Sequence, residues 1–521
     1  MIAERDREAS SGVQLAEVVA AITLAADLAL GQPLDHVLRS GAIAVRLAEQ
    51  LGLSDEERAA TYWVTMFISP GCSVGSFELS QIFGDDIALR SELYSAGWSS
   101  REEMKVIFRR AGGGGSAGKK ARARTKLIAT RGSAVQATLG AHCAVNVRLA
   151  QRIGMNEVVT SALAHSFARW DGKGIPKKVR GTDIALPVRI ASVADAIEVS
   201  HRQRGAEGAI EVPRAHSGTL FDPAVVDAWV AISSDVLPTL AEESWRAGAS
   251  SWPDRSLTVD ELDEALELLA DYADLKSPWF SGHSRGVAVL AESAAREAGL
   301  PESDVITLRH AALLHDIGRN GVPNSIWDKP GPLTDDERER VRLHAYHTDR
   351  VLHRAGSLAR LASIASAAHE RADGGGYPRA ISAETIPLLG RLLECADAYH
   401  AMCEDRPHRP ALTRDAAAQE LRRAARAGEL DGRAVDAVLA AAGHPPRKRP
   451  SAPAGLTPRE VEVLELAARG ATTRQVASKL GITPKTAGNH IERIYVKIGV
   501  SSRAEAALFA MQNGLLRTLE R

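Results

Sequence analysis

Histidine and aspartate residues with the chemistry of metal ligands are spread across the second half of the chain. His315 and Asp316 are adjacent and follow an apolar helical run. Neighbouring helix positions point about 100° apart, so both side chains reach one ion only if other helices supply further ligands. His283, which precedes this pair, and Asp397, which follows it, are candidates for those ligands. Two imidazoles and two carboxylates suit Fe, Mn, Zn or Mg and leave positions for water and a phosphate oxygen.

Two further histidines extend this set towards a second ion. His344 and His369 lie between Asp316 and Asp397 in the sequence, and the carboxylate of Asp316 can bridge two metals. A metal pair activates water for attack on phosphorus and neutralises the developing charge. An isolated histidine is more often an ordinary core or surface residue, so this prediction depends on the ordered set.

The C-terminal segment carries a different chemistry. Thr457 and Glu460 form a capping box at the start of the first of three predicted helices. On the polar face of the third helix, Lys485, Asn489 and Arg493 recur every four residues. After position 450, ten basic residues oppose six acidic ones. A helix-turn-helix that places its recognition helix in the major groove of DNA has this arrangement and this charge.

The elements that must hold these residues are helices. The chain has 521 residues, of which 45% are hydrophobic, 25% charged and 4% aromatic. Alanine, leucine, arginine and glutamate dominate, and no alternating run is long enough to indicate a sheet. We predict an all-α fold with three or four domains, at one domain per ~150 residues.

Charge and cysteine content exclude several classes of protein. The net charge of −1 excludes a uniformly basic nucleic-acid coat, so any DNA contact must be local. The four cysteines show no CxxC spacing, which argues against a disulfide framework or a zinc knuckle. Neither a signal peptide nor a membrane-spanning helix fits the N-terminal sequence, and we expect a cytoplasmic protein without membrane contact.

An internal repeat organises the rest of the chain. Asp195 pairs with Asp397 at an offset of 202 residues, and His36 pairs with His283 at an offset of 247, with an insertion of 45 residues between the two regions. At these offsets the central His-Asp pair falls on Ile68 and Ser69, and His369 falls on Phe167. An apolar residue cannot ligate a metal, so we expect the first copy to be degenerate and without catalysis.

These patterns predict domain boundaries. We expect two tandem helical bundles at residues 1–245 and 256–442, a proline-rich basic linker at 443–455 and the DNA-binding segment at 456–521. The glycine and basic run at residues 112–126 is predicted to be a mobile loop.

The second copy resembles the HD-GYP family. The resemblance is carried by His283, HDIGR at His315–Arg319, KPGPLT from Lys329, HERADGGGYP at His369–Pro378, ADAYHAM around Asp397 and EDRPHRP at Glu404–Pro410. It implies an all-helical bundle with two or three metals, often Fe or Mn, that hydrolyses cyclic di-GMP.

The resemblance also implies roles for single residues. The first metal would be held by His283, His315, Asp316 and Asp397, and the second by His344 and His369. Asp316 and Arg319 would be catalytic. The substrate would meet Gly376, Tyr377 and Pro378 at the lip of the site, and its phosphates would face Arg406 and Arg409.

The sequence departs from the family pattern at several positions that bear on catalytic activity. Ala368 stands where the family usually has a second histidine, although His347 could substitute as a ligand. Arg319 replaces a lysine, His400 replaces a second aspartate and His408 replaces a tyrosine. Either the site turns over slowly with one or two metals, or it has become a nucleotide sensor, and the sequence leaves both interpretations open.

The C-terminal segment resembles a LuxR-type DNA-binding domain over its whole length. The resemblance implies that DNA is contacted by Lys485, Thr486, Asn489, His490 and Arg493. Gly488 lies mid-helix, where a glycine costs about 1 kcal/mol, so weak binding by a monomer and rescue in a homodimer are expected. A basic adaptor without DNA function is the alternative.

Together these features favour a DNA-binding transcriptional regulator that senses or slowly hydrolyses a cyclic dinucleotide or another phosphoester. The alternative is an active cyclic di-GMP phosphodiesterase with an attached DNA-binding module. In a third hypothesis, the first copy is a scaffold that recruits a protein partner.

Overall fold

The computed structural model describes residues 10–73, 75–96, 100–113, 116–129, 133–239, 255–445 and 453–516. The chain divides into two compact units, Met1–His444 and Pro445–Arg521. As predicted, the described residues are mainly helical. Among them, no helix is both long and apolar enough to cross a lipid bilayer.

The first unit is built from helices in two successive series. The first series comprises Leu15–Leu30, His36–Gln50, Asp55–Phe67, Ser76–Phe83, Asp86–Ser95, Ser100–Arg110, Ala117–Ala129, Ser133–Arg152, Glu157–Leu163, Leu186–Ala215 and Pro223–Val236. The second comprises Val259–Asp274, His283–Glu297, Glu302–Leu314, Asn324–Trp327, Asp335–Arg354, Ala359–Ala365, Leu388–Met402, Arg414–Ala427 and Gly432–Ala441. Short 3-10 turns lie at Pro70–Ser73, Gly181–Asp183, Pro278–Phe280, Ile317–Gly321 and Gly356–Leu358.

Equivalent residues of the two series make equivalent contacts. Gly71 N–H donates to Asn146 Oδ1 at 2.7 Å, and Gly318 N–H donates to Thr348 Oγ1 at 3.1 Å. These pairs are related by the offsets of 247 and 202 residues that relate the two sequence copies. The contacts support the repeat, while the boundaries at 245 and 256 stay a prediction.

The two series share one hydrophobic core. Helix Leu15–Leu30 is apolar nearly all round and buried along almost its whole length, as expected for a central helix. It belongs to the same core cluster as helix Val259–Asp274. Strand Ser10–Gln14 pairs antiparallel with strand Ser256–Thr258, a short ribbon that the sequence did not indicate. Because the two strands precede the first and the second series respectively, their pairing requires the tertiary fold.

Polar contacts also cross between the series. Ser73 Oγ donates to Asn320 Oδ1 at 2.9 Å, although the two positions are equivalent and 247 residues apart. A contact between equivalent positions is what a two-fold relation produces, so the two copies face each other here. Nearby, buried Asp86 accepts from Lys276 Nζ at 3.0 Å and from Asn324 N–H at 2.9 Å.

One prediction about a local element was wrong. The basic run expected to be a loop forms helix Ala117–Ala129 from its alanine onwards. Alanine, lysine and arginine are strong helix formers, and this propensity outweighs the flexible composition of the preceding glycines.

The second unit contains helices Pro458–Ala468, Thr473–Leu480, Pro484–Ile498 and Arg503–Gln512, preceded by a 3-10 turn at Pro453–Gly455. Its first three helices follow the sequence signals closely. Thr457, Thr472 and Thr483 cap their N-termini, and Gly481 ends the middle helix with a φ of 64°. Its core includes Leu464, Val476 and Ile494.

Candidate functional site

Four different elements bring the predicted first set of ligands together. His283 opens helix His283–Glu297, directly after Gly282, whose φ is 80°. His315 ends helix Glu302–Leu314, and Asp316 precedes the 3-10 turn that follows. Asp397 lies on helix Leu388–Met402. The adjacent His-Asp pair can converge because the helix ends between its two members and the chain turns.

The four side chains form one buried ligand group. Each offers an atom within 4.8 Å of the others. His283 Nε2 lies 3.1 Å from Asp397 Oδ1 and 3.5 Å from Asp316 Oδ2, and His315 Nε2 lies 2.8 Å from Asp316 Oδ2. His315 Nε2 and both Asp316 oxygens are buried and make no contact with hydrogen-bond geometry within the described residues, although Asp316 is ion-paired with Arg319. Their lone pairs point to a common space, and this donor set fits a divalent metal ion.

A second ligand group shares Asp316. His344 Nε2 lies 3.4 Å and His369 Nε2 lies 3.9 Å from Asp316 Oδ1, so the two carboxylate oxygens face different groups. The two Nε2 atoms are 2.7 Å apart. His369 Nδ1 approaches Asp397 Oδ2 at 3.6 Å. With one oxygen near each group, Asp316 would be able to serve as a ligand in both.

Hydrogen bonds on the far ring nitrogens orient the imidazoles. His283 Nδ1 pairs with Glu404 Oε2 at 2.7 Å, and His315 Nδ1 donates to the Ala312 carbonyl at 2.7 Å. His344 Nδ1 donates to a backbone carbonyl of its own helix. A donor bond at Nδ1 leaves Nε2 as the free lone pair, which is the common arrangement of metal-bound histidine.

The ionisable side chains of the first ligand group shift one another's pKa values. Burial opposes ionisation of Asp316, but Arg319 and His315 hold the pKa of its carboxyl well below the usual range. Burial likewise lowers the pKa of His315, yet the Asp316 and Asp397 carboxylates raise it to about 10. The structure thus concentrates negative charge beside the imidazoles, where a cation would be stabilised.

Close packing of the HD turn depends on Gly318. A Cβ there would lie 2.1 Å from the His344 carbonyl oxygen and 2.5 Å from the Thr348 nitrogen. Thr348 Oγ1 in turn donates to the His315 carbonyl at 2.9 Å. Only glycine lets the turn approach the helix that carries His344, so this residue positions both ligand groups.

The predicted lip residues lie next to the second group. The Tyr377 ring stacks on His369 with centroids 5.1 Å apart. A Cβ at Gly376 would lie 2.3 Å from the Arg371 nitrogen, so glycine is required in this loop. Buried Glu370 holds the far side of the loop by accepting from the backbone N–H of Arg379 at 2.7 Å. Pro378 directly follows Tyr377, so the three lip residues stand together.

Two predicted phosphate contacts differ in placement. Arg406 Nη2 lies 2.6 Å from Glu404 Oε2 and 3.3 Å from His283 Nδ1, at the edge of the first group. Arg409 instead donates to backbone carbonyls of its own loop, including that of Ala401 at 2.6 Å. Its role towards phosphate stays a prediction, and the geometry favours stabilisation of the loop.

Arg319 lies deeper than Arg406. It pairs with Asp316, and its guanidinium lies 4.1 Å from the centroid of Phe280. The Arg406 guanidinium lies 4.9 Å from the same ring. Nε and Nη1 of Arg319 are buried and make no hydrogen bond within the described residues. Two cations therefore flank the first ligand group, and Arg319 has donors to spare.

His347, which could have replaced the missing histidine as a ligand, belongs to neither ligand group. The ring of His347 lies against Gly321, and its Nδ1 makes no hydrogen bond among the described residues. Ala368 is buried and offers no ligand atom. The second group therefore has one shared carboxylate and two histidines.

Sequence reasoning missed Glu404 as a site residue. Glu404 lies four residues after His400, beyond the end of helix Leu388–Met402, and both belong to a further group of close ligand atoms with His283. The available signal was the acidic residue two places before Arg406, in a stretch already assigned to the site.

The first copy assembles only part of such a site. His36 Nε2 lies 3.0 Å from Asp195 Oδ1, much as His283 lies beside Asp397. His142 Nε2 hydrogen-bonds to the Ile68 carbonyl oxygen at 2.8 Å, so this ring nitrogen pairs with the backbone and is not available to a metal ion. Within the described part of this copy no metal-ligand group is found.

The predicted DNA contacts lie on one helix of the second unit. Lys485, Thr486, Asn489 and Arg493 are exposed and His490 is partly exposed on helix Pro484–Ile498. No hydrogen bond or ion pair is formed by the Lys485, Asn489 or Arg493 side chains within the described part of this unit. They are free to meet a ligand.

Two family models match the chain. Residues 267–434 match the model described as "HD domain", and residues 454–510 match "Bacterial regulatory proteins, luxR family". A curated relative, "3'3'-cGAMP-specific phosphodiesterase 3" of Vibrio cholerae, is 30% identical over 410 residues, which cover 77% of this chain and 89% of that protein. The chain belongs to the HD-GYP family. It combines the HD domain of this family with a C-terminal LuxR-type helix-turn-helix domain.

Other relatives of this HD-GYP protein match segments of different lengths. A "Cyclic di-GMP phosphodiesterase" of Thermotoga maritima is 38% identical over 29% of this chain and 40% of its own length. A crystal structure of a cyclic GMP-AMP-specific phosphodiesterase of V. cholerae superimposes with a TM-score of 0.59 and 26% identity. That match covers 83% of this chain and 99% of the solved one.

Proposed function

We propose that the HD-GYP domain hydrolyses a phosphodiester bond of a cyclic dinucleotide in a metal-dependent reaction, and that the C-terminal domain binds DNA. The observation that carries the proposal is the environment of Asp316. Its two buried oxygens face two groups of imidazoles; among the described residues Oδ2 is ion-paired with one guanidinium, that of Arg319, while Oδ1 faces only His344 and His369. Such an arrangement is costly unless cations fill it.

Different residues would bind the metal ions, contact the phosphates and limit access to the site. His283, His315, Asp316 and Asp397 would hold one ion, and Asp316, His344 and His369 a second. Divalent ions, with Fe or Mn favoured, would acidify water and neutralise charge on the phosphoryl oxygens. Arg319 and Arg406 supply donors at the edge of the group, and a guanidinium suits phosphate oxygens. Tyr377 stacks on His369 and would limit access on that side.

Cyclic dinucleotides are supported as the substrate class by the relatives, which are named as phosphodiesterases of cyclic GMP-AMP and cyclic di-GMP. The first test incubates the full-length protein, loaded anaerobically with Fe(II) or Mn(II), with each dinucleotide. We expect linear dinucleotide to form and Asp316→Ala to abolish it, while Glu264→Ala, at an exposed position of helix Val259–Asp274, retains it. Turnover by Asp316→Ala would refute the assignment.

A second function, sensing without turnover, is favoured by Ala368. The missing ligand leaves the second group with three residues, and weaker binding of its ion would slow hydrolysis. The HD-GYP domain would then bind the dinucleotide and bias how the C-terminal domain binds DNA. Retained nucleotide binding with no product, in protein shown to contain metal, would support this hypothesis over the enzymatic one.

DNA binding rests on the free basic side chains of helix Pro484–Ile498. Affinity should fall steeply with salt, because each phosphate contact releases counterions. We also expect a homodimer, since paired domains read paired half-sites. Absence of salt-dependent DNA binding by the full-length protein, with and without cyclic dinucleotide, would overturn this part of the proposal.

A further inference from the structure

The environment of the first histidine differs between the two copies. In the first copy, His36 Nδ1 pairs with Glu198 Oε2 at 2.6 Å. Glu198 is itself held by Arg39, whose Nε donates to Glu198 Oε1 at 2.9 Å. A carboxylate three residues after Asp195 therefore orients this imidazole.

In the second copy, the positions equivalent to Glu198 and Arg39 carry other residue types. Position 198 corresponds to His400 and position 39 to Gly286, at the offsets of 202 and 247 residues. A neutral imidazole lacks the negative charge of a carboxylate, and His400 meets His283 only through an edge-on ring contact. Yet His283 Nδ1 has a carboxylate partner, because Glu404 Oε2, four residues after position 400, lies 2.7 Å away.

The two replacements fit each other sterically. A Cβ at Gly286 would lie 2.0 Å from His400 Nε2, so the imidazole occupies the space that a side chain at 286 would take. The His400 ring stands edge-on to His283 with centroids 5.4 Å apart. Its Nδ1 lies 3.3 Å from Glu404 Oε1 without forming a hydrogen bond.

Glu404 is held from its other side as well. Arg406 Nη2 lies 2.6 Å from the same Oε2 that pairs with His283. The carboxylate is therefore fixed between a guanidinium and an imidazole, and it keeps the Nδ1 proton of His283 in place. The Nε2 lone pair then faces Asp397 and Asp316.

We propose that Glu404 is the positioning residue that orients His283 for metal binding, and that this role has moved from position 400 to position 404 together with the change to Gly286 and His400. The inference rests on the proposed function and deepens it. Outer partners of this kind change metal affinity by about 10- to 100-fold.

The test measures Mn²⁺ binding to metal-free full-length protein by electron paramagnetic resonance. We expect Glu404→Gln to weaken the tightest Mn²⁺ site by about 10- to 100-fold and to leave the melting temperature of the metal-free protein near that of wild type. His400→Glu combined with Glu404→Gln should restore affinity, because it returns the carboxylate to the position that Glu198 occupies in the first copy. Glu420→Gln is the matched control, because the Glu420 side chain is 46% exposed and pairs with Arg423, and it should bind like wild type.

The outcomes separate the two proposals. Wild-type affinity in Glu404→Gln would overturn the role of Glu404 and leave the proposed function intact. A loss that His400→Glu fails to rescue would also overturn it, because the effect would then come from another contact of Glu404. Absence of Mn²⁺ binding by wild-type protein would overturn the proposed function itself, and this inference with it.

Discussion

Gly318→Ala would test whether close packing of the HD turn positions the second ligand group. The added Cβ would lie 2.1 Å from the His344 carbonyl oxygen, whereas ordinary contact begins near 3.4 Å, so the turn and the helix must move apart. The gap between His344 Nε2 and Asp316 Oδ1, now 3.4 Å, should change with them. Overpacking costs about 1–3 kcal/mol, and a displacement of about 1 Å can lower a reaction rate by about 100-fold.

Gly71→Ala is the matched control, since a Cβ at Gly71 would lie 2.5 Å from the His142 carbonyl oxygen in the first copy. Urea denaturation of the metal-free protein should show a loss of unfolding free energy in both variants. Only Gly318→Ala should also lose metal from the group containing His344 and His369, as measured by metal content after dialysis, and should lose hydrolysis.

Two results would refute this reasoning. Gly318→Ala with the stability and metal content of wild type would show that turn and helix can separate without consequence. Equal loss of metal in Gly71→Ala would show that the metal is lost because the whole unit is destabilised, and not because His344 is displaced.

Three further predictions concern other parts of the chain. Burial raises the pKa of Glu394 to about 9 from 4.5, and its Oε2 has no hydrogen-bond partner among the described residues. The folded protein then keeps a proton that the unfolded chain releases, so its unfolding free energy falls as pH rises from about 4.5 to about 9. Glu394→Gln should flatten this pH dependence and should have a higher unfolding free energy than wild type at pH 8. If urea denaturation shows the same pH dependence of the unfolding free energy in both proteins, the prediction is contradicted. Gly488→Ala should stabilise the LuxR-type domain by about 1 kcal/mol, because a Cβ there meets only Thr473 Cγ2 at 3.9 Å; a lower melting temperature would refute that packing. Arg493→Ala should weaken DNA binding and reduce its salt slope by about 1 in a fluorescence titration, whereas Arg459→Ala, in an ion pair on the first helix, should not; equal losses would argue against a specific recognition helix.

Much of the second unit could be predicted because its signals are local. The predicted capping box of Thr457 and Glu460 is present, Thr472 and Thr483 cap the next two helices, and Gly481 and Gly499 end those helices. A cap is a contact over three residues, so sequence spacing is enough to reveal it. The fourth helix, Arg503–Gln512, was not part of that prediction.

The six predicted metal ligands do converge, and their residue types and order were readable in the chain. What each ligand does was not readable. The division of Asp316 between two groups, the use of Arg409 by its own loop and the location of His347 outside both groups depend on how helices distant in sequence approach one another.

The sequence by itself therefore determined the helical class, the local caps, the repeat and which residues are candidate ligands, because these follow from periodicity and from the chemistry of side chains. Only the tertiary structure decided which partner each ligand has. Glu404 reaches His283 across 121 residues, and strand Ser10–Gln14 pairs with Ser256–Thr258. Such contacts arise when separate elements pack into one core, and their free energy depends on distances that no local pattern specifies.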